Sequence, residues 1–303
     1  MARFGKKLKN DLIYNSIRIA VRFFNIIPRD FANFIAAGFG GLGYLLYGKD
    51  RHKGLRHLRL VYGDELTLPQ RKTIVRNLFL NMARNFVDIV RIKKHYRDEI
   101  RPRIDVEGLE QMRRAAERGR GVFGVTGHIG NFELLATFLA GEGFKVGAIG
   151  RELYDKRLNE LVINNRQSTG LVNIDTRESP RRILKLFKAG YIVGVLMDTD
   201  SFRVRSRLLP CFGRLSNTPV GQSILGLRAG VAFVPGFCVR NGNRYKVVFR
   251  PEITVEPSGD FDQDVYNITR KCTEVLEEVI TEYKDQWIWI HNRWHTRPEE
   301  TPA

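Results

Sequence analysis

A histidine and a glutamate five positions apart, His128 and Glu133, are the residues of this sequence best suited to acid–base chemistry. They occur in the run VFGVTGHIGNFELLA (residues 122–136), where four apolar or small residues lead to Thr126 and Gly127 and an apolar helical pattern follows. Such a run predicts a buried strand that feeds a helix. His128 then lies at the carboxyl end of a strand, where open α/β sheets bind their ligands.

The spacing places His128 in a turn and Glu133 in the helix that follows. Five residues span about 500° of helix, so the two side chains could not share one helical face. If Gly130 permits a tight bend and Asn131 caps the helix, Glu133 falls in the first turn and its carboxylate can reach the imidazole. A helix N-terminus disfavours imidazolium, so we expect His128 to stay neutral and able to accept a proton. The alternative is a loop histidine and an ordinary helix acid.

The chain of 303 residues is strongly basic, with 50 Lys and Arg against 33 Asp and Glu and a net charge of +17. This excess favours an anionic partner, whether membrane lipid, nucleic acid or an acidic protein. A hydrophobic content of 43% allows one large domain or two small ones. The three cysteines lie far apart without metal-binding spacing, so we expect neither a disulfide framework nor a zinc site.

Residues 1–48 predict a membrane anchor. Basic residues alternate with apolar ones at steps of three to four between Arg3 and Arg29, which is typical of a basic amphipathic helix. Residues 31–47 follow as 17 uncharged residues, at the lower limit for crossing a hydrocarbon core. Whether this anchor spans the membrane or lies on it stays open, and a buried helix pair of a soluble domain is the alternative.

Beyond the anchor, short apolar runs alternate with helical patterns. Strands are predicted at residues 104–108, 122–125, 145–149, 171–174, 192–197, 231–239 and 245–255. Helices are predicted at residues 69–92, 109–118, 132–140, 154–168, 179–190 and 262–284. Nearly continuous apolar strands between helices predict an α/β fold with a mainly parallel sheet covered on both faces, and a hairpin at Asn241 and Gly242 makes that sheet mixed. We predict one domain over residues 49–303, with a basic linker at 49–59.

Further polar side chains follow the predicted strands and so lie at the same edge of the sheet as His128. Arg151 follows the strand at 145–149, and Arg166 lies on the next helix. Asp198 and Asp200 end the strand at 192–197, but two carboxylates without a third ligand nearby make a poor metal site. The alternatives are a solvated arginine at position 151 and loop acids that pair with nearby arginines.

Residues 201–220 form a loop with several basic side chains, which we call the basic lip. Its candidate binding residues are Arg203, Arg205, Arg207, Arg214 and Thr218. The first three alternate, so an extended loop would project them to one side, and the helix that follows has an N-terminus that also favours an anion. The pattern predicts a cradle for the phosphate of a lipid head group or for an acidic carrier protein, and a solvated basic loop is the alternative.

The C-terminal stretch at residues 287–298 combines three tryptophans with basic residues that include Arg293. Indoles beside basic groups suit a membrane interface. They suit equally well a strand that packs on the core and turns a basic face outward.

The run GHIGNFELL resembles the H-x4-D/E motif of the glycerolipid acyltransferases in its glutamate form, and that form is similar to the late acyltransferases of bacterial lipid A biosynthesis. Three further stretches fit that family in order: residues 147–151, Asp198 through PCFGRLSNTPVG, and WIWIHNRWHTRP. The resemblance covers about residues 51–298, and it implies a glycerolipid-acyltransferase-like fold with N-terminal membrane-anchoring helices.

The resemblance also implies an activity. The chain would be a membrane-bound O-acyltransferase that moves a fatty acyl chain from a thioester of acyl carrier protein to a hydroxyl of a lipid A precursor or related glycolipid, at the cytoplasmic face of the bacterial inner membrane. His128 would be the general base, and Glu133 would orient its imidazole. Arg151 or backbone amides would stabilise the oxyanion, and Arg166, Asp198, Arg293 and the basic lip would complete the site. No metal or other cofactor would be needed. No G-x-S-x-G elbow occurs, which favours direct transfer over an acyl-enzyme.

Two other functions compete with this interpretation. One is acyl transfer from acyl-CoA to a lysophospholipid or a mannosylated lipid, although no E-G-T-R-type stretch of the glycerol-phosphate branch occurs. The other is a non-catalytic basic protein that binds nucleic acid or an anionic membrane. Positive charge supports that function, but it gives no reason for His128 and Glu133 at a strand–helix turn. Because no RNA-recognition signature occurs, we expect no nucleic-acid partner.

Overall fold

The computed structural model describes residues 2–178, 180–201 and 203–295, with side chains from residue 8 onward. The α-helices in these ranges are α1 (Ala2–Phe24), α2 (Arg29–Leu46), α3 (Gly48–Tyr62), α4 (Leu68–His95), α5 (Leu109–Glu117), α6 (Phe132–Gly141), α7 (Lys156–Gln167), α8 (Pro180–Lys188), α9 (Gly221–Ala229) and α10 (Phe261–Glu282). The strands are β1 (Ile104–Glu107), β2 (Val122–Thr126), β3 (Val146–Gly150), β4 (Val172–Asp175), β5 (Ile192–Leu196), β6 (Ser206–Cys211), β7 (Arg214–Pro219), β8 (Ala232–Asn241) and β9 (Arg244–Phe249). A π-helical turn (Tyr96–Ile100) and a 3₁₀ turn (Arg101–Arg103) join α4 to β1.

Seven strands form the main sheet, in the order β1-β9-β8-β2-β5-β3-β4. All neighbouring pairs run parallel except β8 and β9, which form an antiparallel hairpin. The predicted mixed, mainly parallel sheet flanked by helices is therefore confirmed. The α/β fold is the one that the alternation of apolar strands and helices predicts.

Strand β2 lies in the middle of this sheet, and its alternate residues enter two different cores. Phe123 and Val125 face a core that includes the indoles of Trp287 and Trp289. Val122 faces the opposite core, formed with α6 and its neighbours. Both faces of the strand are buried, which explains why its sequence is a continuous apolar run instead of an alternating one.

The register of β2 against β5 determines which side chains meet at the carboxyl edge of the sheet. Thr126 pairs with Leu196 at the last position of the ladder. Two residues beyond the end of each strand, the chain reaches His128 after β2 and Asp198 after β5. Parallel neighbours in register end at the same edge, so these two side chains come together there.

The predicted basic linker at residues 49–59 is wrong, because this stretch belongs to helix α3. Leu58 is fully buried, and His57, also buried, donates from Nδ1 to Trp289 O at 2.7 Å. Apolar residues at helical spacing outweigh the high charge, since most helical stability comes from a packed face.

The predicted anchor is two helices, α1 and α2. Along the part of the chain that the structure describes, no single helix has both the length and the apolar character to cross a membrane. Helices α2 and α3, bent by 85° with respect to each other, meet that condition as a pair. Large apolar side chains of α2 are exposed, among them Phe34 at 74% and Leu46 at 70%. The side chains of Arg3, Lys6 and Lys7 lie outside the described residues.

The opposite side of α2 packs on α4 of the domain. Arg29, only 3% exposed, donates from Nε to Asp88 Oδ1 at 2.7 Å, and Asp88 is fully buried. Ala32 and Ala36 are buried in the same contact. At Gly40 a Cβ atom would lie 2.7 Å from the backbone oxygen of Phe79, so only glycine permits this approach of the two helices.

The C-terminal stretch packs on the core. Trp287 and Trp289 are 1% and 0% exposed, so the membrane-interface interpretation is wrong for these two indoles. Trp287 forms an isolated antiparallel bridge with Ile129 instead of a continuous strand. Ser179 and residues 296–298, which the predictions included, lie outside the described residues.

Candidate active site

The turn between β2 and α6 has the predicted geometry. Gly130 has φ of +59°, and a Cβ atom there would lie 2.1 Å from Cys238 O. Asn131 caps α6, because its side-chain oxygen accepts the backbone N–H of Leu134 at 3.1 Å. Glycine is needed for both the left-handed conformation and the close approach of β8. The predicted bend and cap are confirmed.

His128 is paired with Asp198. Its Nδ1 lies 2.8 Å from Asp198 Oδ1, and its backbone N–H donates to Oδ2 at 2.8 Å. The indole N–H of Trp287 also donates to Oδ2 at 2.8 Å. At Gly127, next to the histidine, a Cβ atom would lie 3.2 Å from Asp198 Oδ2, so a side chain there would press on the carboxylate. The carboxylate is held from three directions beside the imidazole.

Glu133 is not the carboxylate that contacts His128, and this part of the sequence prediction is wrong. Arg166 of α7 donates to both oxygens of Glu133, with Nε at 3.0 Å from Oε2, and a further N–H of Arg166 reaches Asn173 Oδ1 at 2.5 Å. The two side chains are only 17% and 12% exposed. Asp198, in register with the histidine, already occupies the imidazole Nδ1, and a bidentate guanidinium satisfies Glu133.

The electrostatics of His128 also differ from the expectation. Burial opposes the charged imidazole, but the hydrogen bond to Asp198 and the negative charge of that carboxylate outweigh it, so the pKa of His128 is raised above its usual value. The shift is therefore opposite in direction to the one expected from a helix N-terminus. Burial would raise the pKa of Asp198, yet the bonds from His128 and Trp287 lower it well below its usual range.

This pairing defines which imidazole nitrogen is basic. An ionised carboxylate only accepts hydrogen bonds, so Nδ1 of His128 carries the proton that it shares with Asp198. In the neutral ring, Nε2 then has a free lone pair. The His128 side chain remains 26% exposed while Asp198 is 3% exposed. The arrangement can take a proton from a bound hydroxyl and stabilise the resulting imidazolium.

Two aromatic rings flank the imidazole of His128. Phe132 meets it edge-on, with centroids 5.4 Å apart, and His291 lies nearly parallel to it, with centroids 5.9 Å apart and planes at 24°. Ile288 donates its backbone N–H to His128 O at 3.1 Å. The C-terminal stretch thus forms one wall of the site. The resemblance placed Arg293 of this stretch at the site, whereas His291 and Trp287 were not among the predicted site residues.

A buried network of hydrogen bonds supports the turn between β2 and α6. Asn85 donates from its side chain to Gly130 O at 2.9 Å, and Asn131 donates to the hydroxyl of Tyr245 at 3.2 Å. Tyr245 in turn donates to Asp88 Oδ2 at 2.7 Å. The turn is therefore connected through Asp88 to helix α2.

A narrow apolar cavity begins beside the site and runs between α6 and the sheet. Phe132 and Glu133 line it at the site, Gly194 lies on its sheet side, and Met112 and Phe249 line it elsewhere. Its walls are almost entirely apolar, which suits a hydrocarbon chain more than a polar ligand.

The basic lip is a two-stranded hairpin, β6 and β7, instead of an extended loop. Arg205 and Arg207 project to one side, as their alternation predicts, but both lie within 3.2 Å of Asp262. Arg214 donates to Leu60 O at 3.2 Å, and Arg203 is exposed. Part of the positive charge of the lip is thus neutralised by α10.

Thr218 and Arg293, expected among the substrate-binding residues, are buried at 0% and 1% exposure. The guanidinium of Arg293 donates to Thr218 Oγ1 at 3.1 Å and to Thr199 O at 2.6 Å. Arg293, held by Thr218, therefore fixes the backbone at Thr199, directly after Asp198. Arg151, in contrast, is exposed beyond the end of β3.

The described ranges contain no group of three or more His, Cys, Asp or Glu side chains arranged to hold a metal ion. Cys211, Cys238 and Cys272 are free and buried. Burial raises the pKa of the Cys211 thiol, and it raises that of Cys238 and Cys272 as well. None of the three has the exposed, depressed-pKa environment of a nucleophilic cysteine.

The site thus combines a histidine–carboxylate pair at the carboxyl edge of a mixed α/β sheet with a capped helix that begins within the H-x4-E spacing. Comparison with known proteins identifies the class as the acyltransferases of lipid A biosynthesis. The profile of the family described as bacterial lipid A biosynthesis acyltransferase matches residues 6–296. The chain belongs to this family.

Individual members of this family share only about a quarter of their aligned residues with the chain. The chain is 26% identical over 209 residues to a lipid A biosynthesis palmitoleoyltransferase of Escherichia coli (strain K12), which is 66% of this chain and 64% of that protein. It is 23% identical over 280 residues to the lipid A biosynthesis myristoyltransferase of that organism, covering 90% and 83% of the two chains. It is 25% identical over 277 residues to the lauroyltransferase, covering 89% and 87%.

Proposed function

We propose that this protein is an O-acyltransferase that moves a fatty acyl chain from a thioester to a hydroxyl of a lipid A precursor or a related glycolipid. The observation that carries the proposal is the pairing of His128 with the buried Asp198, which leaves Nε2 as a base at the edge of the sheet. Family membership and the names of the relatives support the lipid A acceptor.

In the reaction, Nε2 of His128 takes the proton of the acceptor hydroxyl as its oxygen attacks the thioester carbonyl carbon. The C–O bond forms, and the carbonyl π electrons move to oxygen to give an oxyanion. When the oxyanion collapses, the C–S bond breaks and the thiolate takes the proton from the His128 imidazolium. Asp198 stabilises that imidazolium throughout.

The acyl chain of the donor occupies the apolar cavity beneath α6. Phe132 lines this cavity, and its ring meets the imidazole of His128 edge-on, so an acyl chain that passes Phe132 would present its carbonyl carbon beside the base. Glu133 and Arg166 line the same cavity and hold its wall through their ion pair. Their role in this proposal is to shape the donor site, with no part in proton transfer.

The acceptor approaches from a membrane. The exposed apolar side of α1 and α2, with Phe34 and Leu46 among its residues, docks on or enters the bilayer, and basic residues nearby favour anionic lipid. Arg203, with Arg205, Arg207 and Arg214, attracts the phosphate of the acceptor, and Arg151 lies at the same edge of the sheet. The cytoplasmic face of the inner membrane is the compartment that fits both an acyl thioester and a lipid A precursor.

Acyl carrier protein is the proposed donor, since an acidic carrier complements a chain with a net charge of +17. Purified protein is to be assayed with matched acyl thioesters of acyl carrier protein and of CoA, each with a lipid A precursor and with a lysophospholipid, and products measured by mass spectrometry. We expect transfer to the lipid A precursor with the carrier-protein donor at the highest kcat/KM. Transfer to the lysophospholipid alone, or to neither acceptor, would contradict the proposal.

A further inference from the structure

The backbone that carries His291 is held beside the reacting centre by several hydrogen bonds. Its ring lies nearly parallel to that of His128, with centroids 5.9 Å apart. Ile288 donates its N–H to His128 O at 3.1 Å, and His291 donates its own N–H back to Ile288 O at 3.0 Å. Arg293, two residues on, donates to Thr199 O, which directly follows Asp198. These bonds place residue 291 beside the turn that carries His128, and the two rings stack there.

The environment of His291 indicates where its proton lies. Its Nδ1 is buried and has no hydrogen-bond partner among the described residues, although the side chain as a whole keeps partial exposure. A buried N–H without an acceptor is rarer in proteins than an unsatisfied acceptor. In the neutral ring the proton therefore belongs on Nε2, which makes this nitrogen a hydrogen-bond donor.

The same surroundings keep the ring neutral. Burial lowers the pKa of His291; Asp198 and Asp200 oppose this shift, and the positive charges of His128 and Arg293 reinforce it. The imidazole of His128 becomes cationic when it takes the acceptor proton. A second cation stacked on it would repel that charge, whereas a neutral N–H donor does not.

We propose that His291 is a catalytic residue whose Nε2–H donates a hydrogen bond to the carbonyl oxygen of the thioester as it becomes an oxyanion. The inference rests on the proposed acyl transfer. No proton or electron pair leaves His291 in this step: the oxyanion accepts the bond when the C–O bond forms and releases it when the C–S bond breaks. Arg151, expected from the sequence in this role, lies exposed beyond β3, which β5 separates from β2.

Three substitutions distinguish a donor from a structural residue. In His291→Gln the side-chain amide nitrogen reaches roughly the place of Nε2, in His291→Asn it reaches roughly that of Nδ1, and His291→Phe keeps the ring without a donor. The exposed His295, four residues on, provides the matched control His295→Phe. For each protein, kcat and KM are measured for both substrates as a function of pH, and folding is followed by thermal unfolding.

We expect His291→Phe and His291→Asn to lose about 10²–10³-fold in kcat, as when one oxyanion donor is removed, with KM and the midpoint of the pH profile unchanged. His291→Gln should recover most of that loss, and His295→Phe should match the wild type. A kcat of His291→Phe within about threefold of wild type would overturn the inference, as would a loss in His291→Gln as large as that in His291→Phe. A wild-type protein without transfer activity would instead remove the proposed function itself.

Discussion

Asp198 accepts two hydrogen bonds from His128, one from its backbone N–H and one from its imidazole Nδ1, both at 2.8 Å. One carboxylate thus fixes the backbone at the end of β2 and the orientation of the ring that projects from it. Trp287 completes the set from the C-terminal stretch. A carboxylate bound in this way cannot rotate away from the histidine without breaking all three bonds. His128 and Asp198 therefore act as one unit in proton transfer.

The first prediction concerns the pH dependence of Asp198→Asn. The pKa of His128 is raised above 6.5 in the folded protein, so the free base appears only as pH rises through that higher value. The acid limb of the kcat/KM profile should lie above pH 6.5 in the wild type. Removing the charge of Asp198 leaves burial unopposed, so the limb should move to lower pH, while the plateau falls about 10²–10⁴-fold.

A surface carboxylate provides the control for this profile. Glu252 pairs with Arg118 at the surface, and Glu252→Gln should leave both the limb and the plateau unchanged. An Asp198→Asn protein with the wild-type acid limb would mean that Asp198 does not govern the titration of His128.

The second prediction is that Glu133 contributes to stability through its ion pair with Arg166, and not to proton transfer. Glu133→Met leaves the guanidinium of Arg166 without its partner in a site only 12% exposed, so unfolding free energy should fall, by at most about 3–5 kcal/mol. Replacing both residues by Met should restore much of that loss. Urea unfolding measures both changes. Equal destabilisation in the single and double variants would show that the ion pair is not what Glu133 contributes.

The third prediction tests the acyl cavity. The nearest neighbour of a Cβ atom at Gly194 would be Gly147 O, at 3.8 Å, so a larger side chain can extend into the cavity. Gly194→Leu should raise KM for long-chain donors and shift preference toward shorter chains, because the added atoms occupy the space of the last methylenes. Gly194→Ala should differ little from wild type. Competition between donors of different length measures the shift, and an unchanged preference in Gly194→Leu would place the chain elsewhere.

The fourth prediction is that the buried side of α2 contributes to stability and its exposed side to membrane binding. Arg29→Met removes one of two buried arginines bound to Asp88, the other being Arg240. It should lower the free energy of unfolding by less than the roughly 3–5 kcal/mol of a wholly unpaired buried charge, without releasing the protein from membranes. Phe34→Ser and Leu45→Ser change exposed side chains and should weaken membrane binding with little change in stability. Vesicle sedimentation and unfolding measure the two properties. Loss of binding in Arg29→Met alone would argue against α2 as the docking surface.

The boundary between membrane anchor and acyltransferase domain at residue 48 stays a prediction. A truncation at that boundary would also remove the contact of Arg29 with Asp88. Deleting residues 1–48 would remove a buried arginine as well as the exposed apolar surface. Any loss of membrane binding in such a protein would therefore be combined with a loss of stability.

Much of the fold could be predicted because its signals are local. The strands are short apolar runs, and the turn at Gly130 and Asn131 combines a glycine with a capping residue, so each is visible within a few residues of sequence. Helix α3 was missed because its exposed face is dense with charge. The hairpin of β6 and β7 was missed because Phe212 and Gly213 form a turn without a common hairpin signature, with φ of 50° and 69°.

The site was harder to predict because its partners are distant in sequence. Asp198 joins His128 through strand order and register, and a single sequence does not reveal that β5 lies beside β2. Glu133 is the nearer carboxylate in the chain, so proximity favoured it. His291 comes from beyond the last helix, and no spacing rule connects it to the turn.

The central claim is that His128 is the base of an acyl transfer, and the most direct test is the kcat of His128→Ala beside that of the double variant His128→Ala with Asp198→Asn. Purified, folded proteins are assayed with the acyl donor and lipid A precursor that the wild type uses. We predict a loss of about 10²–10⁴-fold in the single variant and no further loss in the double variant, because the two residues act as one unit. Activity of His128→Ala within a few fold of wild type would contradict the account.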